Sequence, residues 1–177
     1  MRVICISGKA GHGKDTLAQF LQNELAENGY RVFITHYADL LKYVCTTFFG
    51  WDGKKDESGR QLLQYVGTDI VRSQNPDFWV NFIASILKFF GSCWDVVIIP
   101  DARFRNEIEV LVQHEFDVTH IRVERDGYNG DLTEGQKTHA SETALDDIEP
   151  DVLIKNDSLK SLKTAAKKWI KENGYGN

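Results

Sequence analysis

The chain has 177 residues, 42% of them hydrophobic and 27% charged, with a formal net charge of -5. That is the composition of one globular domain with a sizeable core, and the negative balance argues against nucleic acid or an anionic membrane as the main partner. No apolar run approaches the roughly 20 residues of a membrane span, the first strand starts too early to leave room for a signal peptide, and Cys5, Cys45 and Cys93 lack metal-type spacing. The cysteines read as reduced thiols of a cytoplasmic protein, with Cys5 in the core.

Val3-Ile4-Cys5-Ile6 is a short apolar run suited to a buried parallel strand. Gly8-Lys9-Ala10-Gly11-His12-Gly13-Lys14-Asp15-Thr16 follows and fits Gly-x4-Gly-Lys, a phosphate-binding loop. Its glycines let backbone N–H groups turn inward to phosphate oxygens, and Lys14 is placed to reach the β- and γ-phosphates. Asp15 stands where Ser or Thr normally offers a hydroxyl to Mg2+, and Thr16 comes one residue later. Leu17, Phe20, Leu21 and Leu25 then recur at helical spacing up to Gly29. Strand, loop and helix therefore occur in the order such a loop requires.

Residues 31–36 predict a second strand, and 38–49 a helix. Residues 50–59 are polar and glycine-bounded, hence a loop. Over 59–73, Leu62, Leu63, Val66 and Ile70 form an apolar helical stripe. Gln61, Gln64, Thr68 and Arg72 form a second row along one ridge. That ridge is either a solvated face or a substrate-facing surface, with amides for a base or sugar and Arg72 for a phosphate. Gly67 inside the helix costs about 1 kcal/mol relative to Ala and needs a close backbone or ligand approach to explain it.

Asn75-Pro76-Asp77 breaks the helix, and residues 77–90 form the next one, with Phe78, Phe82, Ile86 and Phe89 or Phe90 inward. Trp79 lies off that stripe, as a surface aromatic or as a platform stacking on a base. Val96-Val97-Ile98-Ile99 followed by Pro100-Asp101 is a central parallel strand with an acid at its carboxyl edge. Beside a phosphate loop, such an acid holds Mg2+ or its water shell; the alternative is a turn Asp capping a helix. Asp101-Ala102-Arg103-Phe104-Arg105 adds two guanidinium groups there.

A helix over 105–115 carries Ile108, Leu111 and Val112, and a strand over 118–125 ends at Arg125. Residues 126–151, rich in Gly, Asp, Glu, Thr and Ser, suit a lid that closes over phosphates, or a surface excursion with one helix. His139 in this stretch reads as a lid or capping residue, because transfer to an anionic phosphate oxygen needs no strong base. Residues 151–154 make a fifth strand. Asn156-Asp157-Ser158 caps a last helix with Leu159, Leu162, Ala166, Trp169 and Ile170 inward and its lysines in solvent.

Together these stretches resemble the phage-type deoxynucleoside monophosphate kinases. The marks are residues 8–16, Tyr-Ala-Asp-Leu-Leu-Lys (37–42), Leu-Leu-Gln-Tyr-Val-Gly-Thr-Asp-Ile-Val-Arg (62–72), Asp-Ala-Arg-Phe-Arg-Asn-Glu (101–107), His-Ala-Ser-Glu (139–142) and Val-Leu-Ile-Lys-Asn-Asp (152–157). The Lys-Asp ending of the loop is also similar to animal-type phosphomevalonate kinases.

The resemblance implies an α/β P-loop kinase fold: a five-stranded parallel sheet of order 2-3-1-4-5, helices on both faces, and a lid. It implies a single domain over 1–177, with an acceptor region at about 38–90 and the lid at about 126–150. The reaction implied moves the γ-phosphate of ATP to a deoxynucleoside 5′-monophosphate with Mg2+. Carried over by position, Gly8 to Thr16 bind ATP, Asp15 and Asp101 serve the metal, and Asn156 lies near the adenine. Lys42, Gln64, Thr68, Arg72 and Trp79 line the acceptor pocket, and Lys14, Asp101, Arg103 and Arg125 surround the transferred group. Such an enzyme is cytoplasmic (in the host if phage-encoded), binds neither nucleic acid nor membrane, and is compatible with a homodimer. A kinase of another phosphorylated acceptor, or a nucleotide-binding switch that transfers nothing, would use the same loop.

Overall fold

The computed structural model describes residues 1–128 and 132–175. Five parallel strands, β1 (Arg2–Ser7), β2 (Val32–Ile34), β3 (Val96–Ile99), β4 (Asp117–Glu124) and β5 (Val152–Lys155), form one sheet of order β2-β3-β1-β4-β5. This is the order the resemblance implies.

The strands alternate their side chains between two apolar layers, as pleated backbone requires. Ile4 and Ile6 of β1 face one layer with Ile98, Ile121 and Val123, and that layer is completed by α1 (Lys14–Glu27) and α8 (Leu159–Glu172). Val3 and Cys5 face the other layer with Val97 and Ile99, covered by α4 (Phe78–Phe90) and α5 (Asn106–Gln113). Cys5 is fully buried, as expected. Among the described residues no helix is long and apolar enough to cross a membrane.

Two helices depart from expectation. In α4 the buried side chains are Trp79, Val80, Ile83, Ala84 and Leu87, whereas Phe78, Phe82, Phe89 and Phe90 are exposed. The helix is apolar on two overlapping stripes, so helical periodicity is satisfied by either. Packing selects the stripe that includes Ala84, whose small side chain admits close approach to the sheet. The expected helix over 59–73 is α3 (Glu57–Gln64) running on as a π-helical segment, Tyr65–Arg72. Wide π turns free backbone carbonyls and cluster at functional sites. Here the Gly67 carbonyl accepts Trp79 Nε1–H at 3.0 Å. A Cβ on Gly67 would lie 2.7 Å from Leu41 Cδ2 of α2 (Ala38–Phe49), so the close approach comes from a side chain and not from the backbone or ligand expected. Trp79 is therefore a buried strut between α4 and the π segment, not a surface aromatic. Two smaller expectations also fail: Val112 and Leu159 are exposed.

Residues 132–151 carry two short helices, α6 (Glu134–Lys137) and α7 (Ala140–Thr143). Residues 129–131, inside the expected lid, lie outside the described residues.

The Ser7 hydroxyl and His120 Nε2 hydrogen-bond at 2.7 Å across β1 and β4, both buried. Burial, with Arg122 adding to it, pushes the His120 imidazole down to about 4. An unfolded histidine titrates near 6.5, so this contribution to stability is intact above that pH and is lost as pH falls toward 4. Replacing His120 with Gln keeps a donor for Ser7 and removes the titration. The wild type should lose about 2 kcal/mol relative to His120→Gln between pH 7 and pH 5, measured by denaturant unfolding. A pH-independent difference would contradict the assignment.

Candidate active site

All strands are parallel, so their carboxyl ends lie along one edge, where ligands bind in open α/β sheets. β1 there runs into the glycine loop, and Asp101, Arg125 and Asn156 follow the ends of β3, β4 and β5. Gly13 caps α1 in the left-handed region (φ 99°), with no side-chain cap. The first-turn N–H groups of α1 thus lack the usual capping partner, which suits a phosphate.

A Cβ on Gly13 would stand 2.6 Å from Asn156 Nδ2, so the side chain of Asn156 closes directly on the loop. Asn156 donates that Nδ2–H to the His12 carbonyl at 2.8 Å, and its own N–H to the Glu124 carbonyl at 2.7 Å. Asn156 is buried and its amide holds the loop, a role the sequence did not indicate. Lys14 is also buried, its ammonium curled under the loop to donate to the carbonyls of Gly8 (2.7 Å) and Lys9 (3.0 Å). Burial, reinforced by Arg103, pushes it down to about 8.

Asp15 points outward from the first turn of α1 and pairs with His36 Nε2 at 3.1 Å. That hydrogen bond holds the Asp15 carboxyl below its ordinary range and lifts His36 above its own. Asp101 accepts the Tyr37 and Ala38 N–H groups, each at 3.0 Å, and so caps the start of α2. It is a capping aspartate, though of α2 and not of the helix that follows it in sequence. Among the described residues no three His, Cys, Asp or Glu side chains cluster as a metal cage. Two acids at the edge of a phosphate loop fit Mg2+, which keeps most of its waters and takes few protein ligands.

One cavity is lined by Lys42, Gln64, Thr68, Arg72, Trp79 and Arg103. All five expected acceptor residues therefore meet in one space, Trp79 as part of its wall. Gln61, on the same predicted ridge, is exposed outside it. Lys42 is held by Asp39 at 2.8 Å. Arg72 is almost enclosed: it pairs with Glu107, donates to the Pro76 carbonyl (3.0 Å) and Asn106 Oδ1 (3.2 Å), and stacks on Phe104 with its Cζ 3.9 Å from the ring centre. Burial pushes the Glu107 carboxyl up to about 7 against the pull of Arg72.

A second cavity, at the loop itself, is lined by Gly8, Lys9, His12, Arg122 and Arg125. Arg103 lines both cavities and so stands between them. Arg125 lines only the second, with its guanidinium 4.7 Å above the Tyr128 ring.

The α7 turn lies over this junction. Glu142 pairs with Arg103 and accepts the Ala10 N–H at 3.3 Å, while Lys9 donates to the Glu142 carbonyl at 2.5 Å and pairs with Asp146. His139 caps α7, its Nδ1 taking the Ser141 N–H at 3.2 Å, in keeping with a capping role. Glu107 and Glu142 are the residues whose parts the sequence did not reveal. Both lie in stretches that carried the resemblance, but nothing local marks an acid as the partner of an arginine 35 or 39 positions away.

A family model described as deoxynucleotide monophosphate kinase matches residues 35–166, about three quarters of the chain. The match begins after the glycine loop, whose assignment therefore rests on motif and geometry. No curated protein matched the chain. Among solved structures, a Janibacter sugar kinase without ligand is similar at 15% identity and TM-score 0.58, covering 100% of this chain and 99% of its own. The Mycobacterium tuberculosis APS kinase CysC with AMPPNP and APS is similar at 13% identity and TM-score 0.57, with 96% and 95% coverage. A shikimate kinase from Aquifex aeolicus is similar at 11% and 0.53, with 99% and 100% coverage. These likenesses establish the P-loop kinase fold.

Asn156→Ala would remove the hydrogen bond to the half-buried His12 carbonyl, at a cost of about 0.5–1.5 kcal/mol in unfolding free energy. The same variant should raise the KM for ATP several-fold with the acceptor KM unchanged, in steady-state kinetics. A change in acceptor KM alone would contradict the placement.

Proposed function

The chain belongs to the deoxynucleotide monophosphate kinase family, and from that premise we propose that it transfers the γ-phosphate of ATP to a deoxynucleoside 5′-monophosphate. The observation that carries this reading is the position of Arg103, which lines both the loop-side cavity and the cavity of the Gln64–Arg72 ridge. An enzyme that only held or hydrolysed one nucleotide would have no use for a second polar cavity across an arginine.

Two polyanions must approach, so the barrier is largely electrostatic. Lys14 and the uncapped first turn of α1 take the donor phosphates. Arg72 takes the acceptor phosphate from below, and Arg103 spans the two. Lys42, Gln64 and Thr68 hold the rest of the acceptor. The attacking oxygen belongs to a phosphate and is already anionic, so no general base is required. His139, committed to capping α7, fits that economy. Mg2+ associated with Asp15 and with Asp101 through water would neutralise charge on the donor phosphates. Residues 126–150 act as the lid, α7 keeping water from the junction.

The test is ADP release with ATP and Mg2+ against dAMP, dGMP, dCMP, dTMP and dUMP, with mevalonate 5-phosphate and dephospho-coenzyme A as controls. We expect ADP that depends on at least one deoxynucleotide and on neither control. Lys14→Ala should lower that rate on the order of 10³-fold or more while circular dichroism stays native. ADP only with a control acceptor would contradict the substrate class. ADP formed equally without acceptor would contradict transfer altogether.

A further inference from the structure

Glu107 is the one acid among the described residues that the fold buries, with 2% of its surface exposed. It stands in the first turn of α5 and spends its carboxylate on two different segments. Oε1 takes the guanidinium of Arg72, from the π segment. Oε2 takes the backbone N–H of Arg103 at 2.6 Å and that of Phe104 at 3.0 Å. Its backbone carbonyl accepts the Tyr37 hydroxyl at 2.5 Å, which ties α5 to the entry of α2. One side chain thus fixes a guanidinium directly and sets the backbone from which a second guanidinium leaves.

Stability alone does not explain this acid. Removing a carboxylate and a guanidinium from water costs several kcal/mol per ion, and an apolar pair of similar volume is often as stable. The surroundings would suit apolar residues, since Phe104 and Trp79 already line the same cavity. What an apolar pair could not do is aim Arg72. The guanidinium is held in its plane by Glu107, Asn106 Oδ1 and the Pro76 carbonyl, and on one face by Phe104. Only its remaining edge is left for the cavity it lines.

We infer that Glu107 is a positioning residue for phosphoryl transfer, orienting Arg72 toward the acceptor phosphate. The inference rests on the transfer reading above. It assigns Glu107 no contact with either substrate. Its effect passes through Arg72, so it falls on the acceptor side and not on the ATP side of the site.

The experiment is a kinetic comparison of wild type, Glu107→Gln, Arg72→Lys and the double variant, with ATP and the best deoxynucleotide acceptor varied in turn. Glu107→Gln should raise the acceptor KM on the order of tenfold and leave the ATP KM within about twofold. In the Arg72→Lys background the same change should add almost nothing, because its route is already cut. Should Glu107→Gln fail to fold, Glu107→Asp keeps the charge but draws it back by one methylene, and should show the same one-sided rise. An equal rise in both KM values, full additivity with Arg72→Lys, or an unchanged acceptor KM in a folded Glu107 variant would each overturn the positioning role. A wild type that transfers to no deoxynucleotide would instead remove the reading on which the role stands.

Discussion

The site depends on keeping positive charge stable in a half-buried space before any phosphate arrives. Each of the three cations at its centre has its own solution. Lys14 folds beneath the glycine loop onto two backbone carbonyls, Arg72 pairs with the enclosed Glu107, and Arg103 pairs with Glu142 from the α7 turn. Leaving such a charge unpaired would cost about 3–5 kcal/mol, a large part of a domain's stability. The compensating groups therefore determine where the cations point.

The parallel sheet makes this concentration of charge possible. Its strands end together, so residues far apart in sequence reach one edge. Asn156 after β5 clasps the loop after β1, and Asp101 after β3 caps the helix after β2. The apolar layers on the two faces hold these ends in register. Asp101 also brings negative charge to the positive end of α2, where it is stabilising. The cavity of the Gln64–Arg72 ridge sits against that same helix entry, so it is anchored to the central strand and not to a free loop.

Where the determining signal was local, the sequence was legible. The strand, glycine loop and helix of residues 3–28 follow from neighbouring residues, and so does the acid at the end of a four-residue apolar strand. The ridge of Gln64, Thr68 and Arg72 was legible as a row, though its choice between solvent and ligand was not. Gly67 announced a close approach without naming Leu41 and Trp79 as its causes. The face of α4 was misread because Phe78 and Phe82 obey the same periodicity as Trp79 and Ile83, and only docking on the sheet separates them. The clasp of Asn156 on the loop and the arginine pairings of Glu107 and Glu142 were illegible for one reason: their partners come from strands, helices or turns distant in sequence. No spacing within a single element records such a pairing.

Phosphoryl transfer as proposed requires that the cavities on either side of Arg103 be used together. The most direct test is calorimetric binding of a bisubstrate in which the γ-phosphate of ATP is joined to a deoxynucleoside 5′-phosphate. If both cavities are engaged at once, the tether turns the second contact into an intramolecular one, and the conjugate should bind at least about 10²-fold tighter than ATP. It should also lose that advantage in Arg72→Ala. A conjugate that binds no more tightly than ATP would mean that the two cavities do not serve one reaction.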